Sequence, residues 1–266
     1  MSIVTQDHID QYNERGFFVL ERVIPEPHLE MLREECARYI QIIEAEMDRQ
    51  GADVIGINHR GKRYFISNRY KESPYIASFI FSEVMADVCR ATLGPDAYLF
   101  HEQYVVKAAE KGMKFGWHQD SGYVGYDHKP YLTCWCTLDD VTIENGTVFM
   151  LPYERAGTRT WLRHSQEAET NDLIGYFGDD PGEPVIAPAG SIACFSSVCF
   201  HRSGVNTSSK MRRIYLPQYS AEPIMRPDGQ TLHAFAEPFL KDGQIVANID
   251  QSAVEAVWQK SRVKNL

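Results

Sequence analysis

The chain has 266 residues, 44% of them hydrophobic, enough for one large domain or two small ones with a buried core. Its 36 acidic and 27 basic residues leave a formal charge of −9, which argues against a nucleic-acid binder built on a basic stripe and against an anionic membrane surface. No apolar run approaches the roughly eighteen residues of a membrane span, no secretory signal is visible, and six scattered cysteines are too few for a disulfide scaffold, so the expectation is a reduced, cytoplasmic protein.

Thr5 is placed to cap a short helix that Gly16 stops, and residues 17–20 read as a strand. A long helix follows Pro25, with Leu29, Leu32, Cys36, Ile40, Ile43 and Met47 on one face and Gly51 as its end. Residues 51–72 are basic, aromatic and glycine-containing, and read as a mobile loop or a short hairpin. Arg63 and Arg69 within them face either substrate or solvent. Ser73-Pro74 opens a further helix that Gly94-Pro95 closes.

From residue 96 the texture changes to short β-branched and aromatic segments: 97–107, 114–120, 131–138, 147–151, 184–187, 190–195, 198–201 and 212–220. Turn signals separate them, as in Glu144-Asn-Gly146 and Pro188-Ala-Gly190, and the spacing predicts an all-β barrel or jelly roll. Cys134 and Cys136 fall inside an apolar run and read as buried small hydrophobes rather than a zinc knuckle. Residues 152–183 form a long polar insertion, and 251–263 a weak terminal helix. The whole is expected to be one domain spanning residues 1–266: a helical N-terminal region (residues 1–95), a jelly-roll core (residues 96–221) and a C-terminal extension (residues 222–266).

A histidine and an acid two residues apart share a face on a strand and diverge on a helix. His8-Ile-Asp10 and His28-Leu-Glu30 fall in predicted helices, whereas His118-Gln-Asp120 ends a β-type segment. His201 lies in a second strand-like run. Two histidines and a carboxylate on a β-scaffold form the facial triad of non-haem Fe(II) oxygenases. Arg212 opens the next apolar run, and a tight turn at 206–209 is expected to fold it back beside the strand carrying His201. Alternation puts Arg212 and Arg213 on opposite faces, one in and one out, and the spacing from His201 favours Arg212 as the one that faces the same cavity and clamps a carboxylate with help from the Ser203 hydroxyl.

Four blocks make the chain similar to a known family. They are IDQYNERGFFVLERVIPEPHLEMLREEC, HEQYVVKAAEKGMKFGWHQDSGY, LTCWCTLDDVTIENGTVFMLP and CFHRSGVNTSSKMRRIYLPQY. In that order they resemble the phytanoyl-CoA dioxygenase family of Fe(II)/2-oxoglutarate oxygenases, over most of residues 8–220. The resemblance implies a mainly β fold with flanking α-helices, the double-stranded β-helix (jelly roll, cupin-like). It implies Fe(II), 2-oxoglutarate and O₂ as cofactor and cosubstrates, and hydroxylation of an unactivated C–H of a small molecule with release of succinate and CO₂. It matches His118, Asp120 and His201 to the iron ligands, and Arg212 and Ser203 to the site of the far carboxylate of 2-oxoglutarate. Lys107, Trp135 and Gln103 match possible cosubstrate contacts, although a strand-end lysine and a core tryptophan are the plainer readings. Tyr123, Tyr126 and His128 follow the iron motif and face either substrate or solvent. The carboxylate at 120 favours hydroxylation over halogenation. Desaturation or epimerisation at the same iron, or a non-oxygenase metal-binding cupin-like protein, are the alternatives. Where the family often has Pro-Gly-Ser-His, this chain has Leu151-Pro-Tyr-Glu-Arg-Ala-Gly157, so the resemblance does not carry the pocket rim over.

Overall fold

A computed structural model describes residues 2–110, 113–167 and 172–264. Helix α1 (Gln6–Arg15) begins at Thr5, whose hydroxyl accepts from the His8 amide, and stops at Gly16, which takes the left-handed conformation open to glycine. Strand β1 (Phe17–Leu20) and helix α2 (Glu26–Gln50) follow; α2 buries Leu29, Leu32, Cys36 and Met47 and ends on Gly51. The basic stretch is a small hairpin, β2 (Val54–Ile55) and β3 (Asn58–His59), followed by a five-residue strand, β4 (Arg63–Ser67). The helix expected from Ser73 to Gly94 is two helices, α3 (Pro74–Ile80) and α4 (Glu83–Thr92). Between them Ser82 takes the extended dihedrals that serine favours at a helix start.

The β region comprises β5 (Ala97–Lys107), β6 (Phe115–His118), a turn of helix α5 (Ser121–Val124), β7 (Leu132–Thr137), β8 (Val148–Leu151) and α6 (Tyr153–Ala156). It continues with β9 (Ser165–Gln166), β10 (Leu173–Ile174), β11 (Glu183–Pro184), β12 (Ile192–Ser196), β13 (Phe200–Ser203) and β14 (Arg212–Ser220). A hairpin, β15 (Glu237–Lys241) and β16 (Gln244–Ile245), and helix α7 (Gln251–Lys264) complete it.

The larger sheet runs β1-β12-β7-β14-β5-β4-β3-β2, with β15 also pairing to β5; the smaller runs β11-β8-β13-β6. The strand pairs are antiparallel, and this is the double-stranded β-helix expected. One expectation fails in detail. β14 pairs with β5 and β7, not with β13, so the chain crosses from the small sheet to the large one between His201 and Arg212. The 206–209 turn is real, and the Asn206 carboxamide donates to the Lys210 carbonyl that follows it and to the Lys107 carbonyl at the end of β5. It links opposite sheets rather than neighbouring strands.

Alternation along β7 shows how the layers divide. Leu132, Cys134 and Cys136 point to the helix-covered face, joining Leu32, Cys36, Phe79, Met85 and Tyr219 in the main core. Trp135 points the other way, into the space between the sheets, with Val105, Val148, Met150, Ile214 and Leu216. Helices thus cover one face of the large sheet and leave the other to a cavity. The cysteines are free and buried, as small hydrophobes. Among the described residues no helix is long and apolar enough to cross a membrane.

Candidate active site

His118 and His201 are direct cross-strand partners on β6 and β13. Their rings lie 4.2 Å apart between centroids. Asp120 is not on the strand, as same-face alternation requires. It sits just beyond, at the helical entry to α5 (φ −59°, ψ −35°), and that turn brings its carboxylate back beside the rings. Oδ1 stands 3.9 Å from His118 Nε2 and 3.4 Å from His201 Nε2. One ligand atom from each of the three residues falls within 4.8 Å of the others, the arrangement needed to hold a metal ion.

The supporting hydrogen bonds fix which atoms face the centre. His118 Nδ1 lies 2.8 Å from the Gly116 carbonyl and His201 Nδ1 lies 3.1 Å from the Cys199 carbonyl. A carbonyl only accepts, so each Nδ1 carries the proton and each Nε2 presents a lone pair. Asp120 Oδ2 accepts from the Thr133 hydroxyl at 2.6 Å and the Gln218 carboxamide at 2.9 Å, leaving Oδ1 toward the histidines. Burial, with His201 beside it, pulls the His118 imidazole down to about 3. Burial would raise the Asp120 carboxyl, but His201, His118 and the Thr133 hydroxyl hold it at about 2. Two imidazole Nε2 atoms and a carboxylate oxygen are the donor set that suits Fe(II).

A cavity of about 490 Å³ opens from this cluster, within the roughly 300–1,000 Å³ range of small-molecule pockets. Arg212 lines it and is 1% exposed. Its Nη2 donates to the Gly146 carbonyl at 3.0 Å and its Nη1 to the Val105 carbonyl at 3.5 Å, its guanidinium lies 5.5 Å from the Trp135 ring centroid, and its Nε is buried with no partner among the described residues. Burial draws its pKa down to about 10, so it stays charged at neutral pH. Arg213, on the opposite face, is taken by Asp139 through Nη2 at 2.6 Å and Nε at 3.0 Å. Lys107, buried at the end of β5, donates to the Ser203 hydroxyl at 2.8 Å and to the Gly204 carbonyl. Burial, Arg212 and Arg63 together hold its amine well below the ordinary lysine value. Ser203, Trp135 and Gln103 also line the cavity.

The remaining expected residues divide. Arg63 and Tyr123 line the cavity, Tyr123 with its ring edge-on to His118. Tyr126, His128 and Arg69 do not. The Tyr126 hydroxyl pairs with His233 Nδ1 at 2.7 Å, and His128 Nε2 lies 3.0 Å from the Ser121 hydroxyl, because the α5 turn carries the following chain away from the metal cluster. Arg69 lies beyond β4, paired with Glu72 at 2.9 Å and placed over Tyr39 of α2. Thr133, Gln218, His101, Phe115 and Asp172 were not expected at the site. Thr133 and Gln218 carry a usable signal: each is in phase with an inward residue of its own strand, Trp135 and Arg212 respectively.

The family model for phytanoyl-CoA dioxygenase (PhyH) matches residues 12–214. One curated relative, described as "Probable alpha-ketoglutarate-dependent hypophosphite dioxygenase" from Stutzerimonas stutzeri, is 28% identical over 55% of this chain; the match spans only 53%, about half, of that relative. The L-proline trans-4-hydroxylase of Streptomyces griseoviridis is 23% identical over 90% of this chain and 94% of its own length. Among solved structures, EvdO2 from Micromonospora carbonacea var. aurantiaca complexed with 2-oxoglutarate has the same fold, with TM-score 0.61 and 23% identity over 85% of this chain and 94% of that one.

Proposed function

The chain belongs to the phytanoyl-CoA dioxygenase family, and from that premise we propose that it is an Fe(II)- and 2-oxoglutarate-dependent dioxygenase hydroxylating an unactivated C–H of a small molecule, with succinate and CO₂ as co-products. The observation that carries this reading is the convergence of three metal-ligating side chains and a buried, carboxylate-seeking arginine on one cavity. His118 and His201 would hold the iron through their Nε2 atoms and Asp120 through Oδ1. The bound iron supplies O₂ activation coupled to decarboxylation of 2-oxoglutarate.

The chain's own residues set the conditions for that chemistry. Thr133 and Gln218 fix the Asp120 carboxylate through Oδ2, so Oδ1 needs no reorientation on metal binding. Arg212, with Nε free, takes the far carboxylate of 2-oxoglutarate. Lys107 positions the Ser203 hydroxyl beside it. Trp135, Val105, Val148, Ile214 and Leu216 wall the space between and exclude water, which limits wasteful oxidation of the protein itself. Tyr123, edge-on to His118, borders the substrate side. The substrate is of the size of the small molecules named for the relatives, hypophosphite and proline. Six free, buried thiols support a reducing, cytoplasmic setting, and a charge of −9 supports a partner other than nucleic acid.

The test is succinate formation from 2-oxoglutarate with and without added Fe(II). His118→Ala and His201→Ala are expected to abolish the iron-dependent rate. A wild-type rate in either variant would reject the ligand assignment.

A further inference from the structure

Two arginines, Arg63 and Arg212, line one wall of the cavity, and Lys107 stands on the strand between them without being part of the lining. Arg212 on β14 is the register partner of Lys107 on β5, and Lys107 is the register partner of Arg63 on β4. Neighbouring strands lie about 4.8 Å apart, so Arg63 stands two strand spacings from Arg212 along the same inward face. The ring of Phe115 covers both nearer cations: Lys107 Nζ is 5.3 Å and the Arg63 guanidinium 5.5 Å from its centroid. Among the described residues, the carboxylates on this lining are the metal ligand Asp120 and Asp172.

The donors on this wall are not equally satisfied. Lys107 has the Ser203 hydroxyl and the Gly204 carbonyl. Arg212 has the Gly146 carbonyl, and its free Nε is answered by the far carboxylate of 2-oxoglutarate. Arg63 is 5% exposed; its Nε donates to the Ile57 carbonyl at 3.2 Å, and its Nη1 is buried with no partner among the described residues. A buried guanidinium donor without an acceptor is costly, and an anion supplied by a ligand removes that cost. Arg63 is also set apart from the cosubstrate carboxylate, because Lys107 stands between the two arginines and is turned to β13.

We propose that Arg63 is the specificity-determining residue for substrate, binding an oxyanionic head group, carboxylate or phosphonate, on the β4 side of the cavity. The assignment rests on the dioxygenase reading above and narrows its substrate to an anion. Ser67, in phase with Arg63 on β4 and also lining the cavity, adds a hydroxyl along the same strand. Phe65, between them on the inward face and edge-on to Phe115, offers an apolar surface to the part of the substrate that is to be oxidised. Binding the anion at β4 leaves the rest of the molecule to extend toward the metal cluster.

The experiment is anaerobic calorimetry on the full chain loaded with Fe(II) and 2-oxoglutarate. Methylphosphonate and cyclohexanecarboxylate are the anionic probes; dimethyl methylphosphonate and cyclohexanecarboxamide are their uncharged counterparts. The wild type is expected to bind at least one anion and to favour it over its neutral partner by tenfold or more, about the value of one charge-assisted bond. Arg63→Gln is expected to weaken that anion at least tenfold more than it weakens 2-oxoglutarate, and Arg63→Lys, which keeps the charge, to recover most of the loss. Equal binding by Arg63→Gln, equal binding of neutral probes, or no anion binding by the wild type would overturn the proposal. So would a loss of 2-oxoglutarate in Arg63→Gln as large as the loss of anion, which would place Arg63 in the cosubstrate site. A wild type that fails to bind 2-oxoglutarate with iron would instead sink the dioxygenase reading itself.

Discussion

The two oxygens of Asp120 do different work: Oδ2 is tied to Thr133 and Gln218, and Oδ1 is left 3.4 Å from His201 Nε2. The same division between a held atom and a free one recurs at Arg212, where Nη2 is fixed on Gly146 and Nε is unpartnered. Arg212→Ala should therefore remove both the charge and its preset direction. The expected loss in 2-oxoglutarate affinity is about 2–5 kcal/mol, as for truncating one member of a buried charge pair, with Fe(II) binding much less affected. Calorimetric titration of the iron-loaded variant measures it, and an affinity within about threefold of wild type, well under 1 kcal/mol, would show that the carboxylate docks elsewhere. At this scale the sequence is informative where a residue type is rare. His, Asp and Arg at ordered positions can be picked out, alternation puts Arg212 and Arg213 on opposite faces, and the spacing from His201 picks Arg212 as the inward one. Thr133 and Gln218 are common polar residues; strand alternation puts them on the inward face with Trp135 and Arg212, but nothing in the sequence names the partner they hold. Only the fold shows that they meet at Asp120.

Elements deliver these side chains by routes that strand periodicity does not describe. The His118/Asp120 pair works because β6 ends at His118 and the chain turns into α5, not because the two residues share a strand face. Arg212 reaches the cavity by crossing between sheets, and an apolar run carries no mark of which sheet it joins. The lengths of β7, β8 and β14 are legible because alternation and turn residues bound them. The split of α3 from α4 is hidden, because the apolar run continues through Phe81 and one extended serine suffices to break it. The turn at Glu144-Asn-Gly146 shows how tightly element and site are coupled. Gly146 has a φ of 80°, and a Cβ there would come within 2.7 Å of the Gly204 carbonyl oxygen, whose group accepts from Lys107. The carbonyl of Gly146 in turn holds Arg212. Gly146→Ala is accordingly expected to cost about 1–3 kcal/mol in stability through left-handed strain and the backbone clash. It should also raise the 2-oxoglutarate KM, because both backbone acceptors that position the cations shift. Urea unfolding beside a KM measurement tests it, and a stable variant with wild-type KM would uncouple the turn from the site.

In the whole molecule the two faces of the large sheet have different tasks: the inward face carries Arg63, Arg212 and Trp135 across the cavity from the metal-ligating strands β6 and β13 of the small sheet, and the outward face carries the helices. The helical layer has its own buried titratable group. His28 on α2 is 4% exposed, edge-on to Phe79 of α3 at 5.6 Å and to Trp258 of α7 at 5.8 Å, and both ring nitrogens are buried without a partner among the described residues. The sequence marks His28-Leu-Glu30 as a false metal pair because it is helical, and the structure adds what the histidine does instead: it fills the junction of three helices as a neutral ring. Burial pulls its pKa from 6.5 down to about 4. The unfolded chain therefore takes up this proton before the folded one does. The stability His28 contributes is complete above pH 6.5, falls as the pH drops through the interval to 4, and is lost below it. Between pH 7.5 and pH 5 the linked loss is about 2 kcal/mol. His28→Leu keeps an apolar side chain at the junction and removes the proton site, so its unfolding free energy should fall by about 2 kcal/mol less than wild type over that range. Urea titrations of both proteins at the two pH values give the comparison directly. Parallel pH slopes would mean that the folded imidazole accepts its proton without leaving the helical junction.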